Sequence, residues 1–530
     1  MIIETKLYNF KNRNIIFLSI LIAITISIRF YFLPFEIPFK TDAIDYFSFA
    51  FDVSKTQQFP TGILKTNDGW SLFLSPIFSM IGNSDMMTLI NAQRITSIVI
   101  SSFTIIPVYF LCKKFSSSEY ALIGAGLFGF SHRLMENSIL GITESLFILL
   151  ITLMLLFSLS KNSKLFVFSF IFLALSSIVR YESLLFLFPL SIIFFIKFRK
   201  EKISYLKFPL FILIFVLILL PIATIRLESN NMDGLTSHAF GMITNPSSTY
   251  LSILMDESSQ VEFNPTRPPT LETFISNSFF NTLKFLGLIS IPLFIIFIPG
   301  GIYNLIKTKN TNLSYLIIFS IVMILPAIYA YGRDIHDTRY LYILFPILCA
   351  ISVYGLDITK KFQKSRYIIL ILIVIVISSI FLLNNEQSNH VYQSEIFQVT
   401  KDLVKNTSGV NDYSGNSFIK IGILEQNWPN SLPLDKDGKT SIFINIIPSG
   451  NYNSVEEYIL NSKDFGLSHI VLTEYNRSPF LDDLSITYEK YPYLEKTFDS
   501  SNHNFKNKII VLKINYSIFD KIISPETPDT

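Results

Sequence analysis

Residues 14–52 read NIIFLSILIAITISIRFYFLPFEIPFKTDAIDYFSFAFD. A run of about twenty apolar residues, long enough to cross a bilayer, gives way at once to a segment carrying Asp42, Asp45 and Asp52. Set on a helix at about 100° per residue, Asp42, Asp45, Ser48 and Asp52 share one arc, with Phe49 intruding. Ala43, Ile44, Tyr46, Phe47, Ala50 and Phe51 share the other. The spacing predicts an amphipathic helix lying in the membrane surface.

Composition fits a chain that lives largely in lipid. Of 530 residues, 50% are hydrophobic, 51 are Phe and only 16% are charged, against roughly 25% charged in soluble domains. The two cysteines, Cys112 and Cys349, lie in or beside apolar runs. That pattern argues against both a disulfide framework and a Cys-rich metal site. A net charge of +3 gives no sign of a nucleic-acid partner.

Apolar runs occur at 15–35, 88–112, 119–131, 141–160, 165–179, 183–196, 206–225, 283–305, 313–331, 340–356 and 367–383. They predict about eleven transmembrane helices. With Lys6, Lys11 and Arg13 in the cytoplasm, alternate loops should be basic. They are: Lys113 with Lys114, Lys161 with Lys164, KFRKEK at 197–202, Lys307 with Lys309, and KKFQKSR at 360–366. The expected layout is a membrane domain over 1–385 with outer loops at 36–87 and 226–282. A small extracytoplasmic α/β domain over 386–530 follows. In that tail FIKIGIL, SIFINII, HIVLTEY and KIIVLKI read as strands and SVEEYILNSKDFG as a helix. The expected location is the plasma membrane, multi-pass, with the N-terminus cytoplasmic.

No phosphate-binding loop, GxGxxG fingerprint, HExxH or CxxC pair occurs. ATPases and nicotinamide or flavin enzymes are therefore disfavoured. Transporters hold ionisable groups near the bilayer midplane, whereas the charged groups here collect at the outer ends of the spans. They include Asp42 and Asp45, the His132-Arg133-Glu136 segment, Glu144, Arg180 with Tyr181 and Glu182, Arg226, and the stretch Arg333-Asp334-Ile335-His336-Asp337-Thr338-Arg339. Carboxylates facing arginines suit a reaction in which a hydroxyl attacks and a phosphate departs. The carboxylate takes the proton and the arginines neutralise the leaving group. Outside the cytoplasm no nucleotide sugar is at hand, which points to a donor carried on a polyprenyl phosphate in the bilayer.

On these residues the chain resembles the GT-C glycosyltransferases, in the branch of the protein O-mannosyltransferases and the lipid A aminoarabinose transferases. That branch opens its first outer loop with Asp-Glu-x-x-Tyr, and this chain has Asp42-Ala43-Ile44-Asp45-Tyr46 in the corresponding place. NDGWSLFLSPIFSMIG resembles the segment returning to the membrane. NAQRITSIVISSFTIIPVYFLCKKF, with Arg94, resembles the second span, and GITESLFILL and RYLYILFPIL resemble later ones. Ala43 stands where the family has its Glu. The resemblance implies a GT-C fold and inverting transfer of a sugar from a polyprenyl (dolichyl) phosphate donor to a protein, lipid or glycan hydroxyl. Asp42 is then the base, supported by Asp45. Arg180, Arg333, His336 and Arg339 bind the donor phosphate, and Tyr46, Glu144 and Arg94 support the acceptor side. No cofactor is expected, and a divalent metal is not favoured. The competing readings are a flippase or transporter of lipid-linked sugars and a catalytically inactive GT-C relative.

Overall fold

The first apolar run folds as α1 (Ile2–Tyr31), and the acidic stretch after it as α2 (Asp42–Thr56). The computed structural model describes residues 2–39, 42–60, 67–82, 84–201, 204–230, 233, 235, 270–308, 310–356, 365–429, 444–450, 452–476 and 478–523. Most of the expected outer loop 226–282 and most of the basic stretch 360–366 lie outside the described residues. On α2 the predicted faces largely hold. Ala43, Ile44, Phe47, Ala50 and Phe51 are buried, while Asp42, Asp45 and Ser48 are half-exposed. Phe49 departs from the pattern, being buried and edge-on to Phe59 with ring centroids 6.2 Å apart.

The chain forms two compact units. The first comprises Met1–Leu33, Asp45–Gly82 and Asn91–Asn385; the second comprises Pro34–Ile44, Asn83–Ile90 and Glu386–Thr530. After α3 (Gly69–Ile81) come α4 (Met86–Phe103), α5 (Ile105–Cys112), α6 (Ser118–Gly129), α7 (His132–Leu140), α8 (Glu144–Ser158), α9 (Ser163–Val179), α10 (Leu187–Phe198) and α11 (Ser204–Asn230). Then follow α12 (Leu271–Ser290), α13 (Phe294–Lys307), α14 (Thr311–Gly332), α15 (Phe345–Leu356) and α16 (Ser365–Val404). All eleven apolar runs are helical. Among the described residues seven helices are long and apolar enough to cross a membrane, or eight if one bent pair counts as a span. The expectation of about eleven therefore holds only in part. The runs at 119–131, 141–160 and 165–179 give helices of 12, 15 and 17 residues, short of a full crossing at 1.5 Å per residue. The run at 283–305 is not one rod: α12 and α13 meet at 108°, with Pro292 in the break, where its missing N–H removes a helical hydrogen bond.

Phenylalanine supplies much of the packing. Phe166 and Phe170 of α9 meet Phe194 of α10 and Phe211 of α11, with centroids 5.6–5.7 Å apart. Such pairs add about 0.5–1.5 kcal/mol each beyond area burial.

The second unit carries a five-stranded sheet in the order β2-β1-β3-β5-β4, from β1 (Gly409–Asn411), β2 (Asn445–Ile447), β3 (His469–Leu472), β4 (Leu494–Asp499) and β5 (Ile510–Ile514). β1 pairs in parallel with β2 and β3, and β5 lies antiparallel between β3 and β4. Asn411 extends the ladder with its side chain, donating to the carbonyl of Val471 at 3.0 Å and accepting from its N–H at 2.7 Å. Three expected strands are found at their places, but FIKIGIL is helical, in α17 (Ile419–Asn427). Its alternation of Ile419, Ile421 and Ile423 with Lys420 and Gly422 has the period of a strand, yet the helix buries all three isoleucines and exposes Lys420. The expected helix is α18 (Val455–Ser462), and α19 (Pro479–Thr487) and α20 (Tyr516–Ile523) complete the unit. Tyr458, Ile459, Ile470, Leu472, Leu512 and Phe519 centre its core.

His469 on β3 is buried, its Nδ1 3.0 Å from Ser468 Oγ and 3.1 Å from Thr407 Oγ1. Burial, with Lys513 nearby, lowers its pKa to about 4. The unfolded chain then binds the proton more readily. The unit's full stability is present above about pH 6.5 and is lost as the pH falls towards 4. Hydrogen exchange of β3 and β5 at pH 7.5 and pH 5 should show protection falling by about 1–3 kcal/mol, with the loss reduced in His469→Gln. Equal pH dependence of the two proteins would remove His469 as the cause.

Candidate functional site

The four residues Asn67-Asp68-Gly69-Trp70 each hold a different part of the first unit. Asn67 takes a left-handed conformation (φ 65°), which Asn tolerates better than most residues. Its Oδ1 accepts the backbone N–H of Tyr181 at 3.2 Å. Asp68 accepts a two-pronged bond from Arg226 of α11, Nε to Oδ2 at 3.0 Å and Nη2 to Oδ1, with both residues buried. A Cβ on Gly69 would sit 2.7 Å from the backbone of Ile178 and Val179, so only glycine permits this approach. Trp70 Nε1 donates to the carbonyl of Gly141 at 2.8 Å, which also accepts from Gln93 at 2.7 Å. The stretch thereby fixes the end of α9, the turn after it and the turn before α8.

Those turns carry charge. Glu144 opens α8 and Arg180 follows the last residue of α9. The guanidinium lies between two carboxylates: Nη1 donates to Glu144 Oε1 at 2.8 Å and Nη2 to Glu182 Oε1 at 3.0 Å. It also lies over the rings of Phe147 (5.6 Å) and Tyr340 (5.9 Å). Burial works against its charge, but Glu182 and Glu144 outweigh that and hold Arg180 protonated well above its ordinary range. Tyr46 of α2 stands within electrostatic reach. Ser71 Oγ donates to the Tyr46 carbonyl at 2.9 Å, so α3 anchors this part of α2.

Glu144, Arg180, Glu182, Arg339 and Tyr340 line one cleft, together with Phe147, Phe186, Met323 and Pro326. Arg339 belongs to a 3₁₀ turn (Thr338–Leu344) capped by Asp337, which accepts its N–H at 2.8 Å and its Nε at 2.6 Å. Of the sequence-predicted residues, the structure brings Glu144, Arg180 and Arg339 into this cleft. Arg333 and His336 lie on the exposed turn just before it and do not line it. Arg333 stacks over Tyr329 at 4.7 Å, and His336 Nε2 is 3.0 Å from Asp334 Oδ1. Arg94 is buried on α4. Asp45 sits one helical turn after Asp42, which heads α2 and belongs to the second unit. Asp52, which shares the acidic arc of α2, is half-buried, and burial pushes its carboxyl up to about 6. Among the described residues no three His, Cys, Asp or Glu side chains gather as a metal site.

The positioning roles of Asn67, Asp68 and Gly69 were missed at the level of sequence, although the NDGW stretch itself stood out. Gly69→Ala should destabilise the first unit by roughly 1–3 kcal/mol, the usual scale of overpacking, because backbone rather than a side chain must yield. Thermal unfolding in detergent reads this, and an unchanged midpoint would contradict the close approach.

No family model and no curated protein matches the chain. Solved structures do. The oligosaccharyltransferase of Archaeoglobus fulgidus in complex with zinc and sulfate aligns with TM-score 0.52 and 13% identity, over 86% of this chain and 67% of that one. The same enzyme tethered to an acceptor peptide aligns with TM-score 0.52 and 13% identity, over 97% and 78%. ArnT of Cupriavidus metallidurans bound to undecaprenyl phosphate aligns with TM-score 0.51 and 8% identity, over 93% and 97%.

Proposed function

We propose that this chain, which has the fold of the GT-C membrane transferases, is a glycosyltransferase that moves one sugar from a polyprenyl-phosphate carrier to an acceptor hydroxyl at the outer membrane face. The observation that carries the reading is the cleft in which Glu144, Arg180, Glu182 and Arg339 come together in an otherwise apolar helical unit. Ionised groups in such a setting are costly and mark function. Two solved structures of the same fold support the substrate classes, one bound to undecaprenyl phosphate and one tethered to an acceptor peptide. The basic residues in alternate loops support an inside N-terminus and hence an outward-facing site, with the α/β unit outside the cell.

In this reading the acceptor hydroxyl attacks the anomeric carbon and its proton passes to Asp42, with Asp45 as the supporting carboxylate. The bond from the anomeric carbon to the phosphate oxygen breaks, and polyprenyl phosphate departs. A single displacement inverts the anomeric configuration. Arg333, His336 and Arg339 neutralise the departing phosphate. Arg180 already has both Nη groups on carboxylates, so its role is to order Glu144 and Glu182. Tyr46, Glu144 and Arg94 shape the acceptor side, and no metal takes part.

The test is release of polyprenyl phosphate from polyprenyl-phosphate hexoses by purified protein. Wild type should turn over and keep its rate in a chelator. Asp42→Asn should lose about 10²–10⁴-fold, the scale of general-base catalysis, without a change in unfolding temperature. Equal rates would remove Asp42 as the base. No release by wild type from any donor would overturn the reading and favour a lipid-linked-sugar flippase.

A further inference from the structure

A second, roomier cavity lies wholly within the unit that carries the sheet. It measures about 300 Å³, the lower end of the range for small-molecule sites and enough for one long side chain. Its walls come from the segment after α1, the start of α4, and α16 with α17, all of them parts of the second unit. Along α16, Phe397 and Lys401 are one turn apart and share a face. Trp428, just after α17, donates its Nε1 to the carbonyl of Ser84 at 3.1 Å and ties α17 to the chain that enters α4. Phe35, Met87 and Phe397 make much of the lining apolar, and Phe35 is 46% exposed. The charges on the lining do not balance. Lys401 is spent on Glu425, which accepts its Nζ, and it lies over the Phe397 ring at 5.4 Å. Glu36 is exposed and has no ion pair among the described residues. The cavity thus offers one uncommitted, accessible carboxylate beside aromatic and thioether side chains.

We propose that this cavity is a docking pocket for one basic side chain, Lys or Arg, of a peptide segment. The aliphatic stem packs against Phe35 and Met87, as such stems do on apolar surface, and Met87 is flexible enough to fit either residue. The cation at its tip pairs with Glu36, and the nearby Phe35 ring adds to the attraction. An anion is disfavoured, because the lysine on the lining is already paired and Glu36 repels it. A neutral side chain of the same length gains the apolar contact but not the ion pair. Size points to a side chain rather than a whole ligand, since the cavity takes a stem and its tip while the peptide backbone stays at the mouth. The inference concerns a partner's docking and does not depend on the transfer reaction.

The experiment titrates the full-length protein in detergent with short peptides that are identical except for a central Lys, Arg, norleucine or Glu. Binding is read by ligand-observed NMR with no sugar donor present. The Lys and Arg peptides should bind about five- to tenfold more tightly than the norleucine peptide, the joint effect of an exposed ion pair and a cation–ring contact. The Glu peptide should bind most weakly, and the basic advantage should shrink at high salt. Glu36→Gln should abolish that advantage, and Glu36→Lys should turn it towards the Glu peptide. Both variants should keep the wild-type unfolding temperature, because Glu36 is exposed. Equal binding of the Lys and norleucine peptides by wild type overturns the proposal, as does binding of neither. A Lys preference unchanged in Glu36→Gln also overturns it. Pentylamine binding as tightly as the Lys peptide overturns it too, since the site is then one for free amines. None of these outcomes bears on release of polyprenyl phosphate, so the glycosyltransferase reading is tested separately.

Discussion

A guanidinium buried among apolar helices has to find its counter-charges within the protein, and Arg180 finds two. Removing one partner of a buried ion pair typically costs about 3–5 kcal/mol, because a charge is left without compensation. The geometry around Arg180 is correspondingly fixed. The end of α9, the start of α8 and the 3₁₀ turn after Arg180 are held in one arrangement by bonds of 2.8–3.0 Å. The cleft exists because those three chain ends meet there.

That meeting depends in turn on the chain that leads into α3 and on the first residues of α3. Asn67 takes the N–H of Tyr181, Asp68 takes Arg226, and Gly69 lets two backbones touch beside Arg180. Trp70 and Gln93 converge on the carbonyl of Gly141, three residues before Glu144. The entry to α3 is therefore the joint on which both halves of the ionised cluster are seated. Its residues act by placing others.

Much of this architecture was legible from periodicity and composition, because burial in lipid leaves long apolar runs and a surface helix leaves a two-faced one. The faces of α2 followed the spacing, except that Phe49 found Phe59 and turned inwards. Glu182, two residues from Arg180, was an evident neighbour. Glu144, thirty-six residues away, could be placed beside it only through the fold. The break between α12 and α13 had Pro292 as its signal, but hydropathy across 283–305 is continuous and concealed the turn. FIKIGIL was misread for a different reason, since the alternation Ile419-Lys420-Ile421-Gly422-Ile423 has the period of a strand. The arginines show the same limit: sequence groups Arg180, Arg333 and Arg339 by chemistry, whereas the structure separates Arg333 from the cleft and commits Arg180 to carboxylates.

The central claim, that this chain takes its sugar from a polyprenyl-phosphate donor bound beside the Arg180 cluster, is tested most directly by photo-crosslinking. A polyprenyl-phosphate hexose with a diazirine on the sugar ring would be irradiated with the full-length protein in lipid nanodiscs and the labelled peptides mapped. The account predicts labels on the segments carrying Glu144, Glu182 and Tyr340, competed by unmodified donor. Labels confined to the α/β unit or to α16, with none at the cleft, would contradict it.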